Sequence, residues 1–201
     1  MIFWVTSIAV SVSLLVITAA MKSTNPQMAY AHMAIAAVMA IVFALVAIRD
    51  TRQLAEAGGS RAAVAAQTAR FMGYVWTWGA LALVISYGSG VVSWHEWLTF
   101  FVTFAILAAG SLFFSMLLQR DADQGKEDEA LLKLGRYLAW AQFFGMIVVV
   151  IGLIIDGKMT RFLVPRYGDW AANNIFFFGA IALAAISAYA LKVGKPSAQA
   201  E

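Results

Sequence analysis

The chain has 201 residues, of which 62% are hydrophobic and only 12% charged, with a formal net charge of +3 and no cysteine. A soluble domain carries roughly a quarter of charged residues, and a water-soluble fold of this length has no core large enough to hide so much apolar surface. The absence of cysteine excludes disulfides, thiolate nucleophiles, iron-sulfur clusters and Cys-ligated zinc, and so mild a positive charge does not indicate a nucleic-acid surface.

About twenty apolar residues cross the hydrocarbon layer as a helix. Six windows free of Asp, Glu, Lys and Arg satisfy that length: 2–21, 28–48, 71–92, 97–118, 137–155 and 170–191. The fold expected is therefore an all-α integral membrane protein, a six-transmembrane-helix bundle forming one membrane domain over 1–201. The first span has small residues at Thr18, Ala19 and Ala20 near its end, as a cleaved signal peptide would. It lacks a basic n-region and is longer than a usual h-region, so it is expected to be retained.

The second span carries Ala36, Ala40 and Ala44 at four-residue spacing, a ladder that lets helices approach closely in lipid. Near its outer end lies His32, with Met28 and Met33 beside it. The following stretch, 51–70, reads as a short cytoplasmic surface helix in two pieces broken at Gly58-Gly59. The third span opens Arg70-Phe71-Met72-Gly73-Tyr74. The fourth begins beside Trp94-His95-Glu96-Trp97 and contains a shorter ladder, Ala105 with Ala109. In 127–136, Glu127, Asp128 and Glu129 precede Leu131, Leu132 and Leu134, with Lys133 and Arg136 behind. Acid leading and base trailing suits the helix dipole, and an amphipathic helix lying on the membrane surface and running into the fifth span is expected there. The fifth span opens Arg136-Tyr137-Leu138-Ala139-Trp140, parallel to the third, with Gly79 and Gly145 at matching distances from the arginines. Before the sixth, Arg161 and Arg166 place positive charge on the outer side, where a lipid phosphate, an acidic partner or an ion pair between Arg166 and Asp169 would give it a reason; a local turn fixed by Pro165 and Gly168, with its charges solvated, gives the same pattern and is the preferred reading. Asn173 and Asn174 follow, and then the ladder Ala180, Ala184, Ala188.

The shared openings of spans three and five, and the shared Arg-Asp ends of spans two and four at Arg49-Asp50 and Arg120-Asp121, make three repeated two-helix hairpins the economical arrangement. Recurring interfacial Arg and aromatic residues at any span boundary give the same pattern without repetition. The ladders place the even-numbered spans near the centre. Orientation follows from the basic residues: ten fall on the side shared by both termini and the second and fourth connectors, four on the other. Basic residues in short loops are retained inside, so both termini are expected in the cytoplasm and the protein in the cell inner, or plasma, membrane.

The spans hold no charge at membrane depth, where proton relays and ion paths would need it. There is no Gly-rich phosphate loop followed by Lys and Ser or Thr, no His-Glu-x-x-His, and no strand-turn-helix setting for Gly88-Ser89-Gly90. No catalytic residue is assigned, and an enzyme is not expected. The leading expectation is an accessory or assembly subunit of a larger membrane complex, with the lipid bilayer and other membrane subunits, or further copies of the chain, as partners. An alternative is a passive channel or transporter for a small neutral solute, its path lined by Gln142, Thr103, Asn173 and Asn174, with Ser86, Thr99 and Ser111 as further candidates. The three-hairpin arrangement is similar in architecture to the bacterial urea and amide channels, with no shared residue pattern. A third alternative is a haem or copper protein using His32 and His95 with Met28 and Met33, since imidazole and thioether suit copper and two imidazoles clamp haem. No cofactor is demanded by the sequence.

Overall fold

The structure, a computed structural model, describes residues 26–88, 94–155 and 167–193, with the side-chain surroundings of most of 37–80, 98–154 and 178–192. These residues form five helices: α1 (Pro26–Glu56), α2 (Arg61–Gly88), α3 (Trp94–Asp123), α4 (Glu129–Ile155) and α5 (Tyr167–Val193). The fold is all-α. Among the described residues two helical segments, Leu98–Asp123 and Glu129–Gly152, are long and apolar enough to cross a membrane, and Phe178–Lys192 is a shorter apolar helix. The second to sixth windows fall on α1 to α5, although α2 ends at Gly88, and the window 2–21 lies outside the described residues.

The connectors are helical on either side of Gly58-Gly59 and over 129–136, which runs on into the fifth window; the stretch 51–70 forms no helix of its own, residues 51–56 continuing α1 and 61–70 opening α2. The cause is local. The stretch 61–70 holds five alanines and no Gly or Pro, so nothing interrupts propagation of the helix into the apolar run. It is also no surface, because Ala62, Val64, Ala66, Thr68 and Ala69 are buried.

The turns at 57–60 and 124–128 use the same device. Gly58 N–H bonds the Ala55 carbonyl at 3.2 Å and Gly59 N–H the Leu54 carbonyl at 3.0 Å; Gly125 N–H bonds the Ala122 carbonyl at 3.1 Å and Lys126 N–H the Asp121 carbonyl at 2.9 Å. These are Schellman ends, which need a left-handed residue just past the helix. Gly58 (φ 80°) and Gly125 (φ 66°) supply it. Each next helix then starts on a side-chain cap. Ser60 Oγ accepts from Ala63 N–H at 3.2 Å, and Asp128 Oδ1 from Ala130 N–H at 2.8 Å and Leu131 N–H at 3.3 Å.

α2 is the central helix, packed against all four others and most extensively against α3. The two run antiparallel: Ala66 meets Ser115, Gly73 meets Leu112 and Gly79 meets Phe104. Small residues on α2 permit this approach, since a Cβ on Gly73 would lie 2.7 Å from Leu112 Cγ. Ser115 Oγ donates to the Ala66 carbonyl at 2.7 Å. This corrects the central placement of the even-numbered spans. Of those helices, α1 and α5 pack together, whereas α3 makes no extended contact with either.

The alanine ladders are likewise not the seams. In α5 the buried residues are Ala180, Ala182, Leu183, Ile186, Ser187 and Leu191, with Ala184 half-buried and Ala188 exposed. In α3, Ala108 is buried while Ala105 is half-buried and Ala109 exposed. In α1, Ala44 is buried with Phe43 and Ala47, and Ala40 is half-buried. A strict four-residue step turns about 40° further round a 3.6-residue helix each time, so a contact seam alternates steps of three and four. The core gathers Phe43, Phe71, Met72, Val75, Trp76, Ala139, Leu183 and Ile186. Phe43 holds α1 to α2, its ring meeting Phe71 edge-on at 5.8 Å and Trp78 at 5.1 Å.

Candidate functional site

The polar chemistry of the described residues concentrates at the connector end. There Glu127, just before the Asp128 cap of α4, reaches the start of α2: its Oε1 accepts from Arg61 N–H at 2.9 Å, one of the backbone donors that the first turn of a helix leaves unpaired. A carboxylate at a helix N-terminus also meets the positive end of the dipole. The Arg61 guanidinium returns the contact, with Nη1 at 2.8 Å from Glu129 Oε1 and 3.8 Å from Glu127 Oε2. The turn at 57–60 and the connector at 124–128 are thereby tied at one end of the bundle. Nearby, Arg52 Nε bonds Glu56 Oε1 at 2.6 Å. That hydrogen bond, with the charge of Glu56, raises the Arg52 pKa further above its ordinary value, so the guanidinium stays charged throughout the accessible range.

Deeper in the bundle polar side chains are few and mostly turn back on their own helix. Thr51 Oγ1 donates to the Ala47 carbonyl at 2.7 Å, Thr68 to Val64 at 2.9 Å and Thr77 to Gly73 at 2.9 Å. Among the described residues, three buried side-chain atoms have no hydrogen-bond partner: Trp76 Nε1, Gln142 Oε1 and Ser187 Oγ. Such a group costs about 1–3 kcal/mol.

Of the sequence-derived candidates, Gln142 lies in α4 with its carbonyl oxygen buried, while Thr103 on α3 is exposed and donates to the Thr99 carbonyl at 2.8 Å. The two therefore do not share an inward-facing wall. Met28, His32 and Met33 fall in the first turns of α1, His95 in the first turn of α3, and Asn173 and Asn174 in α5, but the surroundings of their side chains lie outside the described residues. Arg161 and Arg166 lie outside them altogether. Among the described residues no group of three or more His, Cys, Asp or Glu is placed to hold a metal ion.

Sequence reasoning did not single out Trp76 or the reach of Glu127. The run Glu127-Asp128-Glu129 announced the start of a helix. Its second use, on a helix beginning 66 residues earlier, depends on the turn at Gly125 folding the carboxylate back.

No known protein family, characterised protein or solved structure matches the chain.

Proposed function

We propose that this chain is a multi-pass protein of the cell inner membrane, a six-helix bundle with both termini cytoplasmic. It serves without catalysis as an accessory or assembly subunit of a larger membrane complex. The observation that carries this reading is the outer face of α4. Only 6% of its membrane-length segment is buried, against 22% for that of α3. Tyr137, Trp140, Phe144, Val148 and Ile151 are all exposed, and their steps of three, four, four and three residues draw one continuous stripe along the helix.

A stripe of that size facing water would aggregate. In a bilayer it faces lipid or a helix of another subunit. Part of it is packed on itself: the Trp140 and Phe144 rings stack 5.2 Å apart at 15°, and Phe143 meets Phe144 edge-on at 5.5 Å. Aromatic side chains that already pack on one another offer a preformed surface for a neighbouring helix.

The test is native electrophoresis of mildly solubilised membranes. The wild-type chain is expected in a band well above its own mass, and a Phe144→Ala, Val148→Ala double variant is expected to shift toward the free chain. A wild-type protein that migrates alone refutes the accessory role.

A further inference from the structure

At the connector end every exposed acid of the described residues is engaged within the chain. Glu56 bonds Arg52 at 2.6 Å, Glu127 and Glu129 hold Arg61, Asp123 Oδ1 accepts from Gln119 Nε2 at 2.9 Å, and Asp128 caps α4. The exposed bases are not so engaged. Lys133 and Arg136 of α4 make no ion pair within the described residues, and neither do Arg49 of α1 and Arg120 of α3. Glu129 stands one turn before Lys133 on α4, yet its carboxylate goes to Arg61 instead, at 2.8 Å.

These bases belong to the uncovered face of α4. Lys133 precedes Tyr137 by four residues and Arg136 precedes Trp140 by four, so both sit at the connector end of the stripe that runs through Phe144 and Val148 to Ile151. From Lys133 to Ile151 that face measures about 27 Å at a rise of about 1.5 Å per residue, close to the full hydrocarbon depth of about 30 Å. A single phospholipid covers one leaflet, about half of it. A transmembrane helix covers all of it. A second copy of this chain is a poor match, because two-fold pairing through α4 sets Lys133 and Arg136 against their own copies. The exposed faces of α1 and α3 fare no better: they run into Arg49, four residues past Leu45, and Arg120, four past Met116. Like charges brought together across an interface oppose association.

We propose that the α4 face docks one transmembrane helix of a different protein, which sets small residues against the Trp140–Phe144 stack and an Asp or Glu carboxylate, at its cytoplasmic end, against Lys133 and Arg136. Gly, Ala or Ser at four-residue spacing lets the partner backbone come close to the stacked rings, which stand 5.2 Å apart. The carboxylate supplies the counter-charge that this chain's own acids do not, and the Arg136 guanidinium offers it paired donors. It also fixes the depth of the partner, since a slip of one helical turn, about 5.4 Å, separates the charges. The inference rests on the accessory reading above and names the chemistry of the partner on that same face.

The probe is a synthetic transmembrane peptide of Leu and Ala with Gly at four-residue spacing, carrying two Glu, two Gln or two Lys at one end. Its association with the full chain is read by energy transfer in liposomes of zwitterionic lipid. The Glu peptide is expected to bind about three- to tenfold more tightly than the Gln peptide, the range that two exposed ion pairs span. A Lys133→Glu, Arg136→Glu double variant should reverse the order and bind the Lys peptide most tightly. Should that variant fail to fold, Lys133→Gln, Arg136→Gln carries the comparison by abolishing the preference, and Arg120→Glu on α3 should leave it intact. Equal binding of the Glu and Gln peptides to the wild-type chain overturns the site, as does a preference that survives in the Gln variant. Self-association of the chain tighter than its association with the Glu peptide overturns it in favour of a second copy, and loss of the preference when one third of the lipid is phosphatidylglycerol does so in favour of lipid phosphate. A chain found in a large native complex but without the Glu preference removes the acidic partner and leaves the accessory role; a chain that migrates alone with the preference intact does the opposite.

Discussion

Removing Glu127 tests how the two connectors hold the bundle together. Glu127→Ala deletes the acceptor for Arg61 N–H at 2.9 Å and the weak guanidinium contact at 3.8 Å, leaving the Arg61–Glu129 bond at 2.8 Å in place. Loss of a side-chain acceptor at a helix N-terminus costs typically about 1 kcal/mol, and the charge raises this because an ionised acceptor roughly doubles a hydrogen bond. The side chains are 40% and 36% exposed, so solvent screens the direct ion pair to a few tenths of a kcal/mol. The expected loss is about 1–2 kcal/mol for Glu127→Ala and about 0.5 kcal/mol for Glu129→Ala, which removes only an exposed ion pair.

The assay is reversible unfolding in mixed micelles, run as double-mutant cycles with Arg61→Ala. That substitution deletes the guanidinium but keeps the backbone N–H. Most of the Glu127 effect should therefore survive in the Arg61→Ala background, whereas the Glu129 effect should vanish there. If Glu127→Ala costs no more than Glu129→Ala, or if its effect disappears with the Arg61 side chain, the backbone cap is not what joins the connectors.

Other expectations follow from close packing and turn geometry. Gly73→Ala should destabilise by about 1–3 kcal/mol, because its Cβ would lie 2.7 Å from Leu112 Cγ and 3.2 Å from Leu112 N, whereas Gly145→Ala, with nothing within 4 Å, should be neutral or stabilising in the same unfolding assay. Gly58→Ala meets no steric obstacle but must adopt φ 80°, so it should cost about 1–2 kcal/mol through the backbone alone. Ala66→Leu, at 0% exposure beside Ser115, should cost about 1–3 kcal/mol by overpacking, while Ala109→Leu on the exposed face of α3 should change the midpoint little.

The positions of the helices were legible because charge-free apolar runs leave few alternatives. The break at Gly58-Gly59 was legible because paired glycines interrupt a helical stretch. The central role of α2 was not. Its sequence is apolar on nearly every side, so it has almost no amphipathic bias from which an inward face can be read. The alanine ladders drew attention to α1, α3 and α5, whereas the closest approach uses Ala66 and Gly73 of α2, whose spacing follows the three-and-four seam. Gln142 stood out as a lone polar residue in an apolar span. Trp76 did not, because its missing partner is a property of the packing around it, and seven tryptophans in the chain made one more unremarkable.

The central claim is a membrane bundle whose turn at 57–60 and connector at 124–128 share the cytoplasmic side. A chain without cysteine allows a direct measurement, since each introduced thiol is the only one present. Single Ala57→Cys, Gln124→Cys and Ser93→Cys variants would be exposed in intact cells to a membrane-impermeant maleimide, and again after permeabilisation. The account predicts labelling of the Ser93→Cys protein in intact cells, with Ala57→Cys and Gln124→Cys labelled only after permeabilisation. Labelling of either connector variant in intact cells contradicts the cytoplasmic placement, and opposite behaviour of Ala57→Cys and Gln124→Cys contradicts the bundle itself.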